Sequence, residues 1–217
     1  MVDWARRGAD ARCGYPRRNV RNFPIVALLC SAGGLDALTR VLAPLPGDLP
    51  AAVIALQHLS PNQPSALPVI LGRHTALPVA SARDGDRLTA GRVLVAPPGH
   101  HLLITAEVMV ALIPSGAMPP CRPSADLLLA TLAVVVGPRA IAVVLSGSGS
   151  DAATGATAVH RFGGTVIATN AATSTYSSMP NATIHRDEIT DHVVALDDVP
   201  ALLITLVTTP RLGPAAA

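Results

Sequence analysis

Three apolar runs in this chain each lead into a residue able to do chemistry. Ile25 to Cys30 runs into Ser31-Ala32-Gly33-Gly34, and Ala51 to Gln57 runs into His58. Ala140 to Leu145 runs into Ser146-Gly147-Ser148-Gly149-Ser150-Asp151. A serine hydroxyl is a poor nucleophile until a base takes its proton, and a neutral histidine can do so near pH 7. A carboxylate then fixes the imidazole tautomer and stabilises the imidazolium that forms. Together the three residue types offer the nucleophile, base and orienting acid of a serine hydrolase. The developing oxyanion needs preorganised donors. Glycine-rich turns opening helices, as after Ser31 and at Gly147-Ser148-Gly149, leave backbone N–H groups free for that task.

Such residues meet only if their elements bring them together. Each apolar run reads as a buried strand, and in an open parallel sheet ligands bind outside the carboxyl ends of the strands. Strands are expected at 25–30, 51–57, 79–82, 93–96, 140–145, 165–169 and 192–196. A hairpin is expected to pair 101–105 with 108–113. Helices are expected over 35–42, 65–73, 152–162, 181–186 and 199–207, and over an apolar stretch capped by Ser124 and ending at Gly137. Strands alternating with helices predict an α/β fold: a doubly wound, mostly parallel sheet with helices on both faces, a three-layer Rossmann-like sandwich. Residues 1–22 read as a flexible arginine-rich leader, 23–208 as one catalytic domain, and 209–217 as a frayed tail.

Composition fits that architecture. The 217 residues are half hydrophobic, 14% charged and only 2% aromatic, so the core must be built from Ala, Val, Leu and Ile. The chain has no lysine, and six of its arginines precede Phe23 against two aspartates. The rest carries ten arginines against twelve acids, so the basic character belongs to the leader. That leader reads as a solvated tail, with an anionic contact as the alternative. It lacks the apolar centre of a secretory signal. The longest apolar candidate for a membrane span, Leu127 to Val136, stops well short of the ~20 residues needed. Cys13, Cys30 and Cys121 show no metal-ligand spacing and no paired framework, which points to a reducing cytoplasm. Cys30 precedes the candidate nucleophile but falls inside an apolar run, where a free cysteine acts as a small hydrophobe. Gly99-His100-His101 lacks companion ligands at metal spacing and sits at a predicted turn.

Several alternatives fit poorly. There is no G-x-S-x-G elbow, and the order Ser, His, Asp differs from that of α/β-hydrolases. Without lysine there is no Walker A motif, and Ser31-Ala32-Gly33-Gly34 lacks the dinucleotide-binding spacing.

Taken in order, the motifs resemble the catalytic domain of the chemotaxis protein-glutamate methylesterases, the CheB type, over roughly Pro24 to Leu206. The correspondence runs through Ser31-Ala32-Gly33-Gly34, Gln57-His58, Asp84-Gly85, Gly91 to Pro97 and His101-Leu102. It continues through Arg122-Pro123-Ser124-Ala125-Asp126, Ser146 to Ala152, and Met179-Pro180. The resemblance implies that Ser31 attacks a glutamyl methyl ester on a chemoreceptor, that His58 relays the proton and that Asp151 orients His58. Methanol and free glutamate would be the products, and receptor glutamine could be deamidated by the same chemistry. It implies backbone oxyanion donors at Ala32 and Ser148, substrate contacts at Arg122 and Met179, and no cofactor or metal. The implied partners are the methylated cytoplasmic helices of chemoreceptors and a separate response regulator. No nucleic acid is implied, and the membrane is approached only through the receptor.

Four positions depart from the family pattern. Ala32 stands for Thr, Cys121 for the His before Arg-Pro-Ser, Ser148 for Met, and Ala152 for Gly. The family's amino-terminal phosphoacceptor domain has no counterpart in the residues before the first strand, so control by phosphorylation in cis is not expected. Two further readings stay open: a catalytically silent module that binds receptors or signalling partners, and an esterase of the same mechanism acting on a small-molecule ester.

Overall fold

The computed structural model of the chain describes residues 23–116 and 121–209. The expected leader, and the expected tail from residue 210, lie outside them. Among the described residues, seven strands form one sheet: β1 (Ile25–Cys30), β2 (Ala52–Gln57), β3 (Val79–Ser81), β4 (Arg92–Val95), β7 (Ala140–Val144), β8 (Thr165–Thr169) and β9 (His192–Val194). Their order is β3-β4-β2-β1-β7-β8-β9, and every neighbouring pair is parallel. The chain winds outward from β1 to one edge and returns to β7 on the other side of β1. The winding therefore reverses between β1 and β7, where the carboxyl ends of a doubly wound sheet open a crevice.

Alternation of side chains explains the layering. Ile25, Ala27 and Leu29 of β1 face a core shared with helices α3 (Ala125–Val136) and α4 (Ala153–Arg161). Val26, Leu28 and Cys30 face the opposite core, with α1 (Gly34–Leu42), α2 (Leu67–Gly72) and α6 (Val199–Thr208). The expected hairpin forms from β5 (His100–Ile104) and β6 (Val110–Pro114), and its Leu102, Ile104 and Val110 join the α3 side.

Boundaries moved where local chemistry outranked the apolar pattern. The helix expected over 65–73 is only Leu67–Gly72, with a proline in its first turn and Ser65 Oγ accepting the Leu67 N–H. The helix expected from Asn181 begins instead at Ser178, as α5 (Ser178–Ile184). Pro180 sits in its first turn, where the missing N–H costs nothing, so Met179-Pro180 belongs to the helix rather than to a loop before it. Asp198 precedes α6 without making a side-chain cap. Ser124 does cap α3, its Oγ accepting the Leu127 N–H at 3.4 Å.

Candidate active site

β1 and β2 run in register, Cys30 opposite Gln57, so Ser31 and His58 leave adjacent strands side by side. Neighbouring strands lie roughly 4.8 Å apart. The His58 N–H continues the ladder to Cys30 O at 3.1 Å. Ser31 lies two residues beyond Leu29, and His58 two beyond Leu56; both of those face α3. Alternation therefore sends Ser31 and His58 to that same face. The Ser31 N–H donates to Ser146 O at 3.0 Å, tying the end of β1 to the turn after β7.

Asp151 is buried at the amino end of α3. His58 Nε2 lies 2.8 Å from Asp151 Oδ2. Asp151 also accepts the Ala125 N–H at 2.6 Å, the Asp126 N–H at 3.0 Å and the Ser124 hydroxyl at 3.2 Å. Burial would raise its carboxyl, but the His58 hydrogen bond and the helix N–H groups outweigh burial and hold it below the usual carboxylate value. An ionised carboxylate only accepts, so the proton of neutral His58 sits on Nε2 and Nδ1 is left as the basic nitrogen. The two side chains keep 12% and 6% of their surface, so the pair is shielded while the ring retains an opening.

Several residues that hold this pair carry no hydrolase signature of their own. His101 Nδ1 accepts the Ser124 N–H at 3.0 Å, fixing the start of α3 from the hairpin. Asp126 Oδ1 accepts the Gly155 N–H at 2.7 Å, fixing the start of α4. Asp151 lies between the two anchored helix ends. Burial, joined by an unfavourable contribution from the Asp151 charge, raises the Asp126 carboxyl. Ser146 Oγ donates to Ala32 O at 2.9 Å and accepts the Tyr176 N–H at 3.0 Å, locking the Ser31 turn to the loop before α5. The sequence marked Ser124 only as a cap; the hint it offered was a Ser-x-Asp at a helix start, which supplies clustered donors.

The remaining expected site residues fall nearby in different ways. Among the described residues, the N–H groups of Ala32 and Ser148 have no protein acceptor, and Ser148 is exposed. Gly149, by contrast, donates its N–H to Ser178 Oγ at 3.1 Å. The Ser31 hydroxyl forms no hydrogen bond to His58 among the described residues, a common state for a site without substrate. Arg122 lies next to His58, its carbonyl accepting the Leu59 N–H at 2.9 Å while Nη1 donates to Gly116 O at 2.8 Å. Met179 differs from the expected substrate contact. It is fully buried, and a Cβ built on Gly147 would meet Met179 Cβ at 3.1 Å and Ser31 Cβ at 3.1 Å. Met179 therefore backs the turn behind Ser31 instead of lining an open surface. Cys30 faces α1, and burial pushes its thiol far up, which removes it as a nucleophile.

Cys121 is the residue that sequence spacing could not place. Its Sγ, a His58 ring nitrogen and an Asp151 carboxylate oxygen all lie within 4.8 Å of one another. A cavity of about 480 Å³, edged by Arg83, Arg87 and Arg92, holds none of the site residues. No helix among the described residues is long and apolar enough to cross a membrane.

The fold has a solved counterpart. The crystal structure of the Thermotoga maritima CheB methylesterase catalytic domain superposes with a TM-score of 0.81 at 33% identity, covering 85% of this chain and 99% of that one. The CheB methylesterase family model matches residues 26–203. The chain belongs to the CheB methylesterase family. Relatives named protein-glutamate methylesterase/protein-glutamine glutaminase occur in Geobacter sulfurreducens, 37% identical over 183 residues, and Moorella thermoacetica, 38% identical over 188. These matches cover 83% and 85% of this chain but 49% and 44% of the relatives. The chain thus spans about half the length of the curated relatives it matches. Within the family fold, Ala152 adopts φ 88°, a left-handed conformation that suits the glycine expected there.

Proposed function

We propose that this protein hydrolyses glutamate methyl esters on methyl-accepting chemoreceptors, releasing methanol, and deamidates receptor glutamine through the same acyl intermediate. The observation that carries the reading is the 2.8 Å His58 Nε2–Asp151 Oδ2 hydrogen bond, made where β1 delivers Ser31. Ser31 Oγ attacks the ester carbonyl carbon as His58 Nδ1 takes its proton. The oxyanion is received by the free N–H groups of Ala32 and Ser148; such donors contribute about 3 kcal/mol each. The C–OCH₃ bond then breaks, and His58 returns the proton to the leaving methoxide. Water, activated by the same nitrogen, attacks the acyl carbon, frees the glutamate side chain and restores Ser31. Asp151 stays ionised throughout and stabilises the imidazolium.

The substrate class draws support from the surroundings. Leu35, Leu59, Leu67 and Ile70 line a groove beside Gln57, an apolar rest for a receptor helix. Arg122 offers a guanidinium for the acidic side chains that flank a methylated glutamate. Both relatives above carry the methylesterase and glutaminase names. Action in the cytoplasm, at the receptor's methylated helices, belongs to the same proposal. A response regulator as second partner rests on the family resemblance.

The test is mass spectrometry of methylated receptor cytoplasmic fragments before and after incubation with the protein, alongside an activated generic ester. Loss of receptor methyl esters is expected. Cleavage of the generic ester alone would favour a small-molecule esterase, and cleavage of neither would favour a binding module.

A further inference from the structure

Cys121 stands at the edge of the catalytic pair, on the segment that also carries Arg122 and Ser124 into α3. Its sulfur, a His58 nitrogen and an Asp151 oxygen form a mixed S, N, O set within 4.8 Å. We propose that these three residues form an inhibitory site for a borderline-soft divalent cation, zinc(II) above all.

The ligand set fits that ion. Zinc takes thiolate, imidazole and carboxylate together, and three protein ligands leave a fourth position for water. Zn–N and Zn–O bonds are about 2.1 Å and Zn–S bonds about 2.3 Å, so ligand atoms around one ion stand roughly 3.3–3.8 Å apart. The sulfur has to close by no more than about 1.5 Å on that scale, and His58 and Asp151, 2.8 Å apart, have to part slightly. Cys121 is only partly buried, so the ion has access. Asp151 is already oriented by Ser124, Ala125 and Asp126, the outer hydrogen bonding that metal-ligating carboxylates need. An oxygen bonded by the Ala125 N–H has a second lone pair, now used by His58, which the ion can take instead. Cys30 cannot substitute, since it is fully buried and its Sγ is directed to Leu56 O on β2.

Occupancy blocks the base through Nε2, the ring nitrogen that faces Asp151. A cation on Nε2 forces the remaining ring proton of a neutral imidazole onto Nδ1, so that nitrogen can no longer accept the Ser31 proton. The thiol proton passes to solvent as the metal–sulfur bond forms. Binding stands on geometry alone; only the inhibition rests on the methylesterase reading above.

The probe is cobalt(II), followed by the thiolate-to-cobalt charge-transfer band of the full chain in chelator-free buffer, with zinc as competitor. One equivalent of cobalt should raise the band, and zinc should remove it. Cys121→Ala and Cys121→Ser should abolish it and weaken zinc binding at least about tenfold. Cys13→Ser should keep it. Zinc inhibition of methanol release, reversed by chelator and scaled to each variant's own zinc-free rate, should weaken by the same factor in Cys121→Ala. Circular dichroism establishes that each variant is folded. Absence of the band, its survival in folded Cys121→Ala or Cys121→Ser, or equal zinc sensitivity of native and variant would overturn the proposal. A cobalt site dependent on Cys121 in a protein that releases no methanol would instead overturn the esterase reading and leave the metal site standing.

Discussion

Asp151 accepts hydrogen bonds from His58, Ser124, Ala125 and Asp126 with two oxygens, a load that only an ionised carboxylate carries. Asp151→Asn puts an NH₂ against some of those donors. It should cost about 1–3 kcal/mol of stability, read as a lower denaturant midpoint. It should also lower kcat by roughly 10⁴-fold, since His58 loses the partner that sets its tautomer. The pH dependence has a definite sign. The folded Asp151 carboxyl lies below its unfolded value near 3.9, so its contribution is complete above that pH and is lost as pH falls through the lower, folded value. The part of the stability gap between native and Asp151→Asn that the carboxylate supplies should therefore be lost as the solution is made more acid than about pH 4, as thermal unfolding across pH will show. At Ala152, opposed effects nearly cancel. Replacing it with glycine relieves a left-handed alanine, about 1–2 kcal/mol. It also removes a fully buried methyl, about 0.8 kcal/mol, and adds unfolded-state freedom, about 0.5–1 kcal/mol. Ala152→Gly should change stability by less than about 1 kcal/mol. The alanine at this family position is thus compatible with the turn.

At the scale of elements, the site depends on how the amino ends of α3 and α4 are pinned together. Gly155 of α4 lies against α3; a Cβ there would meet Leu129 Cβ at 2.6 Å and Asp126 O at 2.9 Å. Elsewhere in a helix, alanine for glycine would add about 1 kcal/mol of stability. Here the crowding should win, so Gly155→Ala should destabilise by about 1–3 kcal/mol and disturb the anchor of Asp126. Ser124 serves both the helix and the carboxylate. Ser124→Ala should cost about 1 kcal/mol and lower kcat more than it changes KM, because Ser124 positions Asp151 and does not touch substrate. These helix contacts were the least legible part of the sequence. The strands announced themselves as apolar runs, and Ser31, His58 and Asp151 followed as their terminal polar residues. His101, Asp126 and Cys121 matter through contacts between residues 23 or more positions apart, or through a cluster no linear spacing shows. The start of α5 was misplaced because Met179-Pro180 reads as a break, although a proline in the first turn of a helix is tolerated.

For the whole molecule, the fold was legible because a parallel sheet buried on both faces leaves an unmistakable composition: short Val, Leu, Ile and Ala runs between glycine-rich turns. The order of the strands was not written in any one segment. It arises from the return of the chain beside β1, which sets β1 and β7 together and brings the Ser31 turn against Ser146 and Gly147. Two chemistries turn on tertiary packing for the same reason. Whether Met179 touches substrate depends on which way α5 packs, and the fold buries it behind Gly147. Whether the three cysteines can meet a metal depends on tertiary approach, which brings Cys121 to the His58–Asp151 pair.

The decisive measurement is methanol release from methylated receptor cytoplasmic fragments, native protein against Ser31→Ala. Steady release by the native protein is expected, with a fall of roughly 10⁶-fold in the variant, to the limit of detection. Equal release by both proteins would mean that Ser31 is not the nucleophile, and no release by well-folded native protein would contradict receptor demethylation.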